Sequence, residues 1–225
     1  MHLPFEQFPV LNAIKICRHV FAQRIPGIDV SHDKAEVLER LDAAHREIRN
    51  ATGFGDWPLF TAEQIHGNEI AVIDSCSRGP VGCEFPACDG IIANQRGVAV
   101  GIYVADCCAV YIVDPTTPAI GLVHSGRKGT ELGVVPNAIK QMIERFGSDP
   151  AKMIVQLSPC IRPPHYDVDF ASEIVRQCRA AGVQHVDDSG MCTACDLSRY
   201  YSYRSEKGKT GRMMAVLALH PATAN

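Results

Sequence analysis

Residues 97–125 read GVAVGIYVADCCAVYIVDPTTPAIGLVHS, a stretch dominated by valine, isoleucine and other apolar residues. Turn-forming and polar residues divide it into three segments, at residues 98–105, 109–114 and 119–124. Segments of this composition between such breaks predict strands, and nearly continuous apolar runs indicate strands that are buried on both faces. The stretch therefore predicts three strands in the core of the protein.

The rest of the chain supplies further strands and three helices. Strands are predicted over residues 13–23, 69–74, 90–94, 152–159 and 212–220. Apolar residues at helical spacing predict helices over residues 34–51, 130–147 and 170–182. In the second helix, Pro136 either produces a kink or marks the true start. Runs of strands with helices gathered in the second half predict the α+β class, with a large mixed sheet or paired sheets covered by helices.

The composition is that of a globular protein without a strong charge. The 225 residues include 22 Lys plus Arg and 25 Asp plus Glu, which gives a formal charge of −3. This balance excludes a nucleic-acid module driven by bulk positive charge. No apolar run approaches the roughly 20 residues of a membrane-spanning helix, and no signal peptide is recognised, so a cytoplasmic protein is expected. No linker divides the chain, and one domain over residues 1–225 is expected.

The ten cysteines are expected to be thiols, because the chain is long and carries no export signal. Cys17 and Cys178 lie in apolar periodic stretches, where a buried, inert thiol is the ordinary interpretation. Cys83 and Cys88, together with the C-T-A-C motif at residues 192–195, leave a four-thiolate structural zinc site as a competing hypothesis. Their spacing departs from the usual pair of C-x2-C knuckles.

Three segments each place a reactive polar residue beside an apolar strand; they are QIHG (64–67), ADCC (105–108) and HSGRKG (124–129). In the second segment, Asp106 and Cys107 interrupt an apolar run, where a charge is costly unless it is paired or ligated. In the third, a glycine-rich basic turn precedes a helix, and its backbone N–H groups and Lys128 could gather an anion.

One residue from each segment completes a plausible metal shell. Two imidazoles and one thiolate, from His66, Cys107 and His124, can occupy three tetrahedral positions on zinc and leave the fourth for water or substrate. The same residues also allow a Cys-His hydrolase, with Cys107 as the nucleophile, His124 as the base and Asp106 or another carboxylate as the group that orients it. The spacing alone leaves both interpretations open.

Five ordered motifs point to one known family. They are QIHG and the segments at residues 88–115, 121–135, 157–161 and 192–219. Together they resemble the laccase-domain family, which is also called multicopper polyphenol oxidase. Members of that family have been reassigned as purine nucleoside phosphorylases or, in bacteria, linked to peptidoglycan editing. The resemblance implies a laccase-domain-like, layered αββα fold with mixed β-sheets, and a zinc ion held by His66, Cys107 and His124.

The resemblance also implies a reaction. It is phosphorolysis of the N-glycosidic bond of purine nucleosides such as inosine, adenosine or methylthioadenosine, with adenosine deamination as a further activity. Positive charge builds on the sugar as that bond breaks, so phosphate must be held close to the anomeric carbon. The candidate cations for phosphate are Lys128, Arg204 and Arg24, and Gln64 is the candidate for orienting the substrate.

The chain departs from the family pattern near these positions. The basic turn of the family usually resembles HAGWRG, so Arg127 stands in place of tryptophan and Lys128 in place of arginine. Lysine keeps the positive charge but loses the planar two-point contact of a guanidinium. Ala109 replaces a usual proline, Ser158 a glycine and Ser205 an arginine.

Copper is disfavoured as the cofactor. A multicopper oxidase needs many paired histidines to supply nitrogen ligands, whereas this chain has nine histidines and no H-x-H motif. A copper polyphenol oxidase is therefore the least favoured of the alternatives. The others are a hydrolase of amide or peptidoglycan-precursor bonds that uses the Cys107 thiolate, and a non-catalytic zinc-binding protein.

Overall fold

The computed structural model describes residues 3–74 and 83–221. Within those ranges the α-helices are α1 Pro9–Asn12, α2 Lys34–Ala51, α3 Arg127–Glu131, α4 Val134–Phe146 and α5 Phe170–Ala180, and a short 3-10 helix spans Pro150–Lys152. The strands are β1 Phe5–Glu6, β2 Cys17–Ala22, β3 Leu59–Ala62, β4 Ile70–Ile73, β5 Glu84–Phe85, β6 Gly90–Ala93, β7 Ala99–Val104, β8 Cys108–Asp114, β9 Ala119–Ser125, β10 Ile154–Leu157, β11 His185–Asp188 and β12 Met213–Leu219. None of the described helices is both long enough and apolar enough to cross a lipid bilayer.

The strands form two six-stranded sheets. The order in the first is β1-β2-β12-β7-β3-β5, and in the second β11-β10-β8-β9-β6-β4. Both sheets are mixed: β12 pairs antiparallel with β7 while β3 runs parallel to β7, and β8 pairs antiparallel with β9 while β4 runs parallel to β6. Sequential strands β7 and β8 lie in different sheets, so the chain crosses between the sheets at residues 105–107.

Burial on both faces explains why β8 is apolar from Cys108 to Val113. Ala109, Tyr111 and Val113 belong to the cluster that joins the two sheets, whereas Val110 and Ile112 belong to a second cluster beneath the helices. Side chains alternate along a strand, so a strand covered on both faces needs apolar residues throughout.

The helices cover the outer faces of the two sheets. Buried residues of α2 (Val37, Leu41, Ile48) join the first cluster, and those of α4 and α5 (Val134, Val135, Ala138, Ile139, Met142, Phe170, Ala171, Ile174, Cys178) join the second. The arrangement is the layered α+β fold with two mixed sheets that the sequence predicted.

Pro136 marks the start of a helix and does not kink one. The helix predicted over residues 130–147 is in fact two helices, and Pro136 lies in the first turn of α4, where its missing N–H has no helical partner to lose. Gly133 separates α3 from α4 with a φ of 71°, a backbone conformation that glycine adopts without a steric penalty.

Candidate metal centre and its cavity

Two loops and the end of one strand bring the candidate ligands together at one end of the two sheets. His66 lies between β3 and β4, Cys107 lies in the crossing from β7 to β8, and His124 lies near the end of β9. The donor atoms of these three residues all lie within 4.8 Å of one another, and the two imidazole rings meet edge to face with centroids 4.8 Å apart. The structure therefore assembles the three residues that the sequence singled out.

A strained crossing loop positions Cys107. Asp106 has a φ of 78°, in the left-handed region that few residues other than glycine and asparagine or aspartate adopt. Its carboxylate accepts hydrogen bonds from the Thr193 hydroxyl at 2.7 Å and from the Arg204 backbone N–H at 2.7 Å. Its backbone carbonyl accepts the Ile161 N–H at 2.8 Å. These contacts stabilise the buried charge of Asp106 and fix the backbone that carries the neighbouring Cys107 thiol.

The backbone of the His66 loop is held by Asp89. Three successive N–H groups, those of Ile65, His66 and Gly67, donate to the Asp89 carboxylate at 3.2, 2.9 and 2.6 Å. These hydrogen bonds hold His66 in a left-handed backbone conformation, with a φ of 61°. Gln64 fixes the same loop from the other side, because its side-chain amide donates to the Tyr103 carbonyl and accepts the Tyr103 N–H.

Asp89 also orients His124. Nδ1 of His124 lies 2.8 Å from the Asp89 carboxylate, and both side chains are buried. This contact leaves Nε2 as the ring nitrogen available to a metal, the arrangement in which a carboxylate hydrogen bonded to the other ring nitrogen fixes the tautomer of a ligating histidine. Burial alone would raise the pKa of Asp89, but hydrogen bonds from His124 and from the Gly67 N–H hold it below its ordinary value.

Gly126 makes room for the thiol. A Cβ atom at this position would lie 2.4 Å from Sγ of Cys107, well inside van der Waals contact. Gly126 has a φ of −100°, so the requirement for glycine is one of space and not of backbone conformation. The glycine of the HSG motif therefore has a steric role in the cluster.

The cluster favours charged forms of its members. Burial opposes a thiolate at Cys107, but the charge of His124 and hydrogen bonds from His124 and His66 lower its pKa to about 6. Burial likewise opposes a charged His124, but the Cys107 thiolate and Asp89 raise its pKa to about 9. A thiolate beside histidine rings can bind a soft metal or act as a nucleophile.

The donor set suits zinc. Two imidazole nitrogens and one thiolate are ligands that zinc takes in catalytic sites, where a fourth position stays open. Within residues 3–74 and 83–221, this is the one group of three or more histidine, cysteine or acidic side chains close enough to hold a metal. The alternative four-thiolate site is wrong, since Cys83, Cys88, Cys192 and Cys195 do not form such a group.

The cysteines of the described ranges are free thiols, as expected from the sequence. Cys76 lies outside the described residues. Burial raises the pKa of Cys17 and of Cys178 to about 12, which agrees with their interpretation as inert core residues.

A cavity of about 950 Å³ opens onto the cluster. Its walls include the cations Lys34, Arg127, Lys128, Arg204, Lys207 and Arg212 and the aromatic residues Tyr103, Tyr166, Phe170 and Tyr203. The Arg204 guanidinium lies 5.2 Å from the ring centroid of Tyr166, and that of Arg212 lies 5.7 Å from Tyr203. The cavity thus combines positive charge and aromatic surface beside a metal-type donor set.

Of the predicted substrate-side residues, Gln64, Lys128 and Arg204 line the cavity. Arg204 is carried by a series of turns at residues 203–208. Arg24 is not among the lining residues: it forms an ion pair with Glu206 at 2.6 Å and stacks on Tyr201. The structure therefore does not place Arg24 with the other cations.

Sequence reasoning missed Asp89 and Arg212. Asp89 precedes the buried strand β6, and the same signal that drew attention to Asp106, a charge beside an apolar run, could have found it. Arg212 stands directly before β12, where a charge also borders an apolar strand.

A comparison with protein families identifies the relationship. Residues 18–175 and 165–220 match the family model described as multi-copper polyphenol oxidoreductase laccase. The chain belongs to this family. A purine nucleoside phosphorylase of Corynebacterium glutamicum is 31% identical, over 90% of this chain and 94% of its own length. The purine nucleoside phosphorylase YlmD of Geobacillus stearothermophilus is 26% identical, over 88% of this chain and 84% of its own length.

Solved structures show the same fold. The crystal structure of YlmD from Geobacillus stearothermophilus matches with a TM-score of 0.83 and 22% identity, over 98% of this chain and 100% of that chain. The crystal structure of the Bacillus licheniformis hypothetical protein YfiH matches with a TM-score of 0.80 over 97% of this chain. These likenesses establish the laccase-like fold.

Two departures from the laccase-family pattern compensate for each other. The N–H of Ala109 donates to the Ser158 hydroxyl at 2.9 Å, and both residues are fully buried. A proline at 109 would have no N–H to donate, and a glycine at 158 would have no hydroxyl to accept it. The two replacements therefore depend on each other, because together they form a hydrogen bond between β8 and the residue that follows β10.

Proposed function

We propose that this protein is a zinc-dependent purine nucleoside phosphorylase that acts on inosine, adenosine or methylthioadenosine, with His66, Cys107 and His124 as the zinc ligands. One observation carries the proposal: a cluster of zinc-type donors shares a single cavity with several cations and aromatic rings. The naming of relatives as purine nucleoside phosphorylases supports the choice of reaction.

Anion binding is assigned to Lys128, Arg204 and Arg212. Burial lowers the pKa of Arg212, while the nearby Tyr203, Cys107 and Asp106 favour its charged form, so the side chain remains a partly desolvated cation. A charge in a medium of low dielectric constant attracts an anion more strongly than the same charge in water does. Arg212 is therefore the stronger candidate for gripping phosphate, and Lys128 adds a charge from α3.

The reaction is a displacement at the sugar. A phosphate oxygen forms a bond to the anomeric carbon, the carbon–nitrogen bond to the purine breaks, and the electron pair stays with the purine, which takes up a proton. The cations hold phosphate on one face of the sugar, and the rings of Tyr166, Phe170 and Tyr203 offer a surface for the purine and exclude water. When bound, zinc would supply Lewis acidity for polarising a substrate atom, which would also serve adenosine deamination.

A second candidate is a thiol hydrolase. It is favoured by the low pKa of Cys107, about 6, and by the position of His124, whose ring nitrogen lies within 4.8 Å of the Cys107 sulfur. In this case Cys107 attacks an amide carbonyl and His124 transfers the proton. Zinc on the thiolate would block this chemistry, so the two candidates make opposite predictions about metal.

The deciding experiment is a product assay on purified protein of known zinc content, with a panel of purine nucleosides, with and without phosphate. A phosphorylase releases the free base and the sugar 1-phosphate, and does so only when phosphate is present. Release of ammonia from adenosine without phosphate would identify a deaminase. Full zinc occupancy without any turnover would favour the non-catalytic alternative, and amide cleavage that alkylation abolishes would favour the hydrolase.

A further inference from the structure

The C-T-A-C motif lies in a tight turn that the proposed reaction does not use. The N–H of Cys195 donates to the carbonyl of Cys192 at 3.2 Å, which closes a four-residue turn. A turn of this kind brings its first and last Cα atoms within about 7 Å, and disulfides span about 4.4 to 6.8 Å. Both cysteines are free thiols.

The two thiols differ in access. Cys195 is exposed, whereas Cys192 is buried, where its thiol faces the Arg162 carbonyl at 3.9 Å. The backbone around Cys192 is fixed, because Cys160 and Cys192 form a β-bridge in which the Thr193 N–H donates to the Cys160 carbonyl at 3.1 Å. An exposed thiol next to a shielded one on a rigid backbone is the arrangement in which one sulfur meets a reagent and the other resolves the product.

The turn is also joined to the metal cluster. Thr193, between the two cysteines, donates its hydroxyl to the Asp106 carboxylate at 2.7 Å. The same carboxylate accepts the backbone N–H of Arg204 at 2.7 Å, and Asp106 directly precedes Cys107. A movement of the turn would therefore change the positions of both Cys107, a candidate ligand, and Arg204, a cation of the cavity.

We infer that Cys192 and Cys195 form a redox-active dithiol, oxidised by low-molecular-weight disulfides such as oxidised glutathione, and that Thr193 transmits the change to Asp106. The Cys195 thiolate attacks one sulfur of the small disulfide, forms a mixed disulfide and expels one small thiol. The Cys192 sulfur then attacks Cys195 and expels the second small thiol. Two protein thiols are oxidised, and one small disulfide is reduced to two thiols.

The pKa of Cys195 determines the pH at which this exchange can be measured. The adjacent Cys192 thiol raises the pKa of Cys195 above its ordinary value, so the thiolate fraction is small at neutral pH. The exchange is therefore expected to be slow at pH 7 and to accelerate as the pH rises, and equilibration for hours in glutathione buffers is the suitable measurement.

Peptide mapping offers a direct test on the full chain. Trypsin releases residues 180–199 as one peptide that contains Cys192 and Cys195 and no other cysteine. After equilibration in oxidised glutathione, acid quenching and alkylation, this peptide is expected to lose two hydrogens and to resist alkylation. In reduced glutathione it is expected to carry two alkyl groups.

Two variants serve as controls. Cys195→Ser is expected to abolish the loss of two hydrogens, whereas Cys83→Ser, which removes a partly buried thiol elsewhere, is expected to leave it unchanged. Two alkylated cysteines under oxidising conditions, or a stable glutathione adduct on Cys195 in the unaltered protein, would overturn the proposal. So would a cross-link between Cys160 and Cys192, which would join two tryptic peptides.

The link to Asp106 has its own readout. Hydrogen exchange of the Arg204 amide is expected to accelerate on oxidation, because its acceptor Asp106 loses the Thr193 contact. Thr193→Val is expected to form the disulfide normally while its Arg204 exchange no longer responds to oxidation. Equal Arg204 exchange in the oxidised and reduced forms of the unaltered protein would show that the dithiol does not communicate with the cavity.

Discussion

Asp89 binds both halves of the candidate metal site: its carboxylate lies 2.8 Å from Nδ1 of His124 and accepts the backbone N–H of His66 at 2.9 Å. The first contact sets the tautomer of one ligand, and the second sets the loop that carries the other. A single residue between β5 and β6 thus fixes two imidazoles that lie far apart in the sequence.

Replacement of Asp89 tests this role. Asp89→Asn keeps the shape of the side chain but removes its charge and one acceptor, so we expect zinc affinity to fall about 10- to 100-fold, as is usual when a residue that orients a metal ligand is replaced. Zinc content after dialysis against a graded chelator is the measurement.

Asp114→Asn is the matched control for Asp89→Asn. Asp114 is also fully buried and accepts hydrogen bonds from a loop, through the Thr116 and Thr117 groups, but it lies at the far end of β8. We expect this variant to lower the free energy of unfolding and to keep its zinc. Equal zinc loss in both variants would mean that Asp89 acts only through general stability.

Gly126→Ala tests the steric requirement at Cys107. The added methyl would lie 2.4 Å from the sulfur, so the thiol must move and we expect zinc occupancy to fall. Gly129→Ala is the control, because its nearest neighbours stand at 3.4 Å, close to ordinary contact. Zinc-to-protein ratios from elemental analysis distinguish the two, and an unchanged ratio in Gly126→Ala would show that the thiol is not a ligand.

The parts of the fold that the sequence predicted are those with strong local patterns. The helix over residues 34–51 has the predicted bounds, because its apolar stripe follows Asp33, whose side chain caps it. Strands β3 and β11 were missed, as were the two-residue strands β1 and β5. β11 reads HVDD and is mostly exposed at a sheet edge, so it has no apolar alternation, and β3 is a four-residue strand whose partner β7 lies about 40 residues away in the chain.

The site was only partly predictable, because sequence patterns are local whereas many of its contacts join distant parts of the chain. Motif order identified His66, Cys107 and His124, but the residues that hold them are found through contacts across the fold. Arg24 illustrates the limit, since its charge is matched by Glu206, which is 182 positions further along the chain. No local pattern of sequence reveals an ion pair of that separation.

A buried histidine outside the site should contribute to the acid sensitivity of the fold. Burial lowers the pKa of His19 from 6.5 to about 4, and its Nε2 accepts the Phe8 N–H at 2.7 Å. Between these pH values the unfolded chain binds more protons than the folded one, so stability is lost as the pH falls from 6.5 to 4. The slope from one such group is at most about 1.4 kcal/mol per pH unit.

His19→Gln keeps an acceptor and removes the titration. We expect this variant to be less stable than the parent at pH 7 but to lose less stability between pH 6.5 and pH 4, as measured by urea unfolding at each pH. His165→Gln, at an exposed position, is expected to leave the profile unchanged. Parallel profiles for the parent and His19→Gln would contradict the assignment.

Lys128 separates anion binding from metal binding. If Lys128 holds phosphate as a point charge, Lys128→Arg adds a planar two-point donor and should lower the apparent phosphate constant by about threefold to tenfold, or about 0.7 to 1.4 kcal/mol. Lys128→Ala should raise that constant and leave zinc content unchanged, because the side chain is not a ligand. Arg24→Ala is the contrasting variant: Arg24 pairs with Glu206 and does not line the cavity, so its loss should affect stability more than the phosphate constant. If phosphate titrations of both Lys128 variants match the parent, Lys128 is a solvated charge, and Arg204 and Arg212 remain as the cations that must carry the anion.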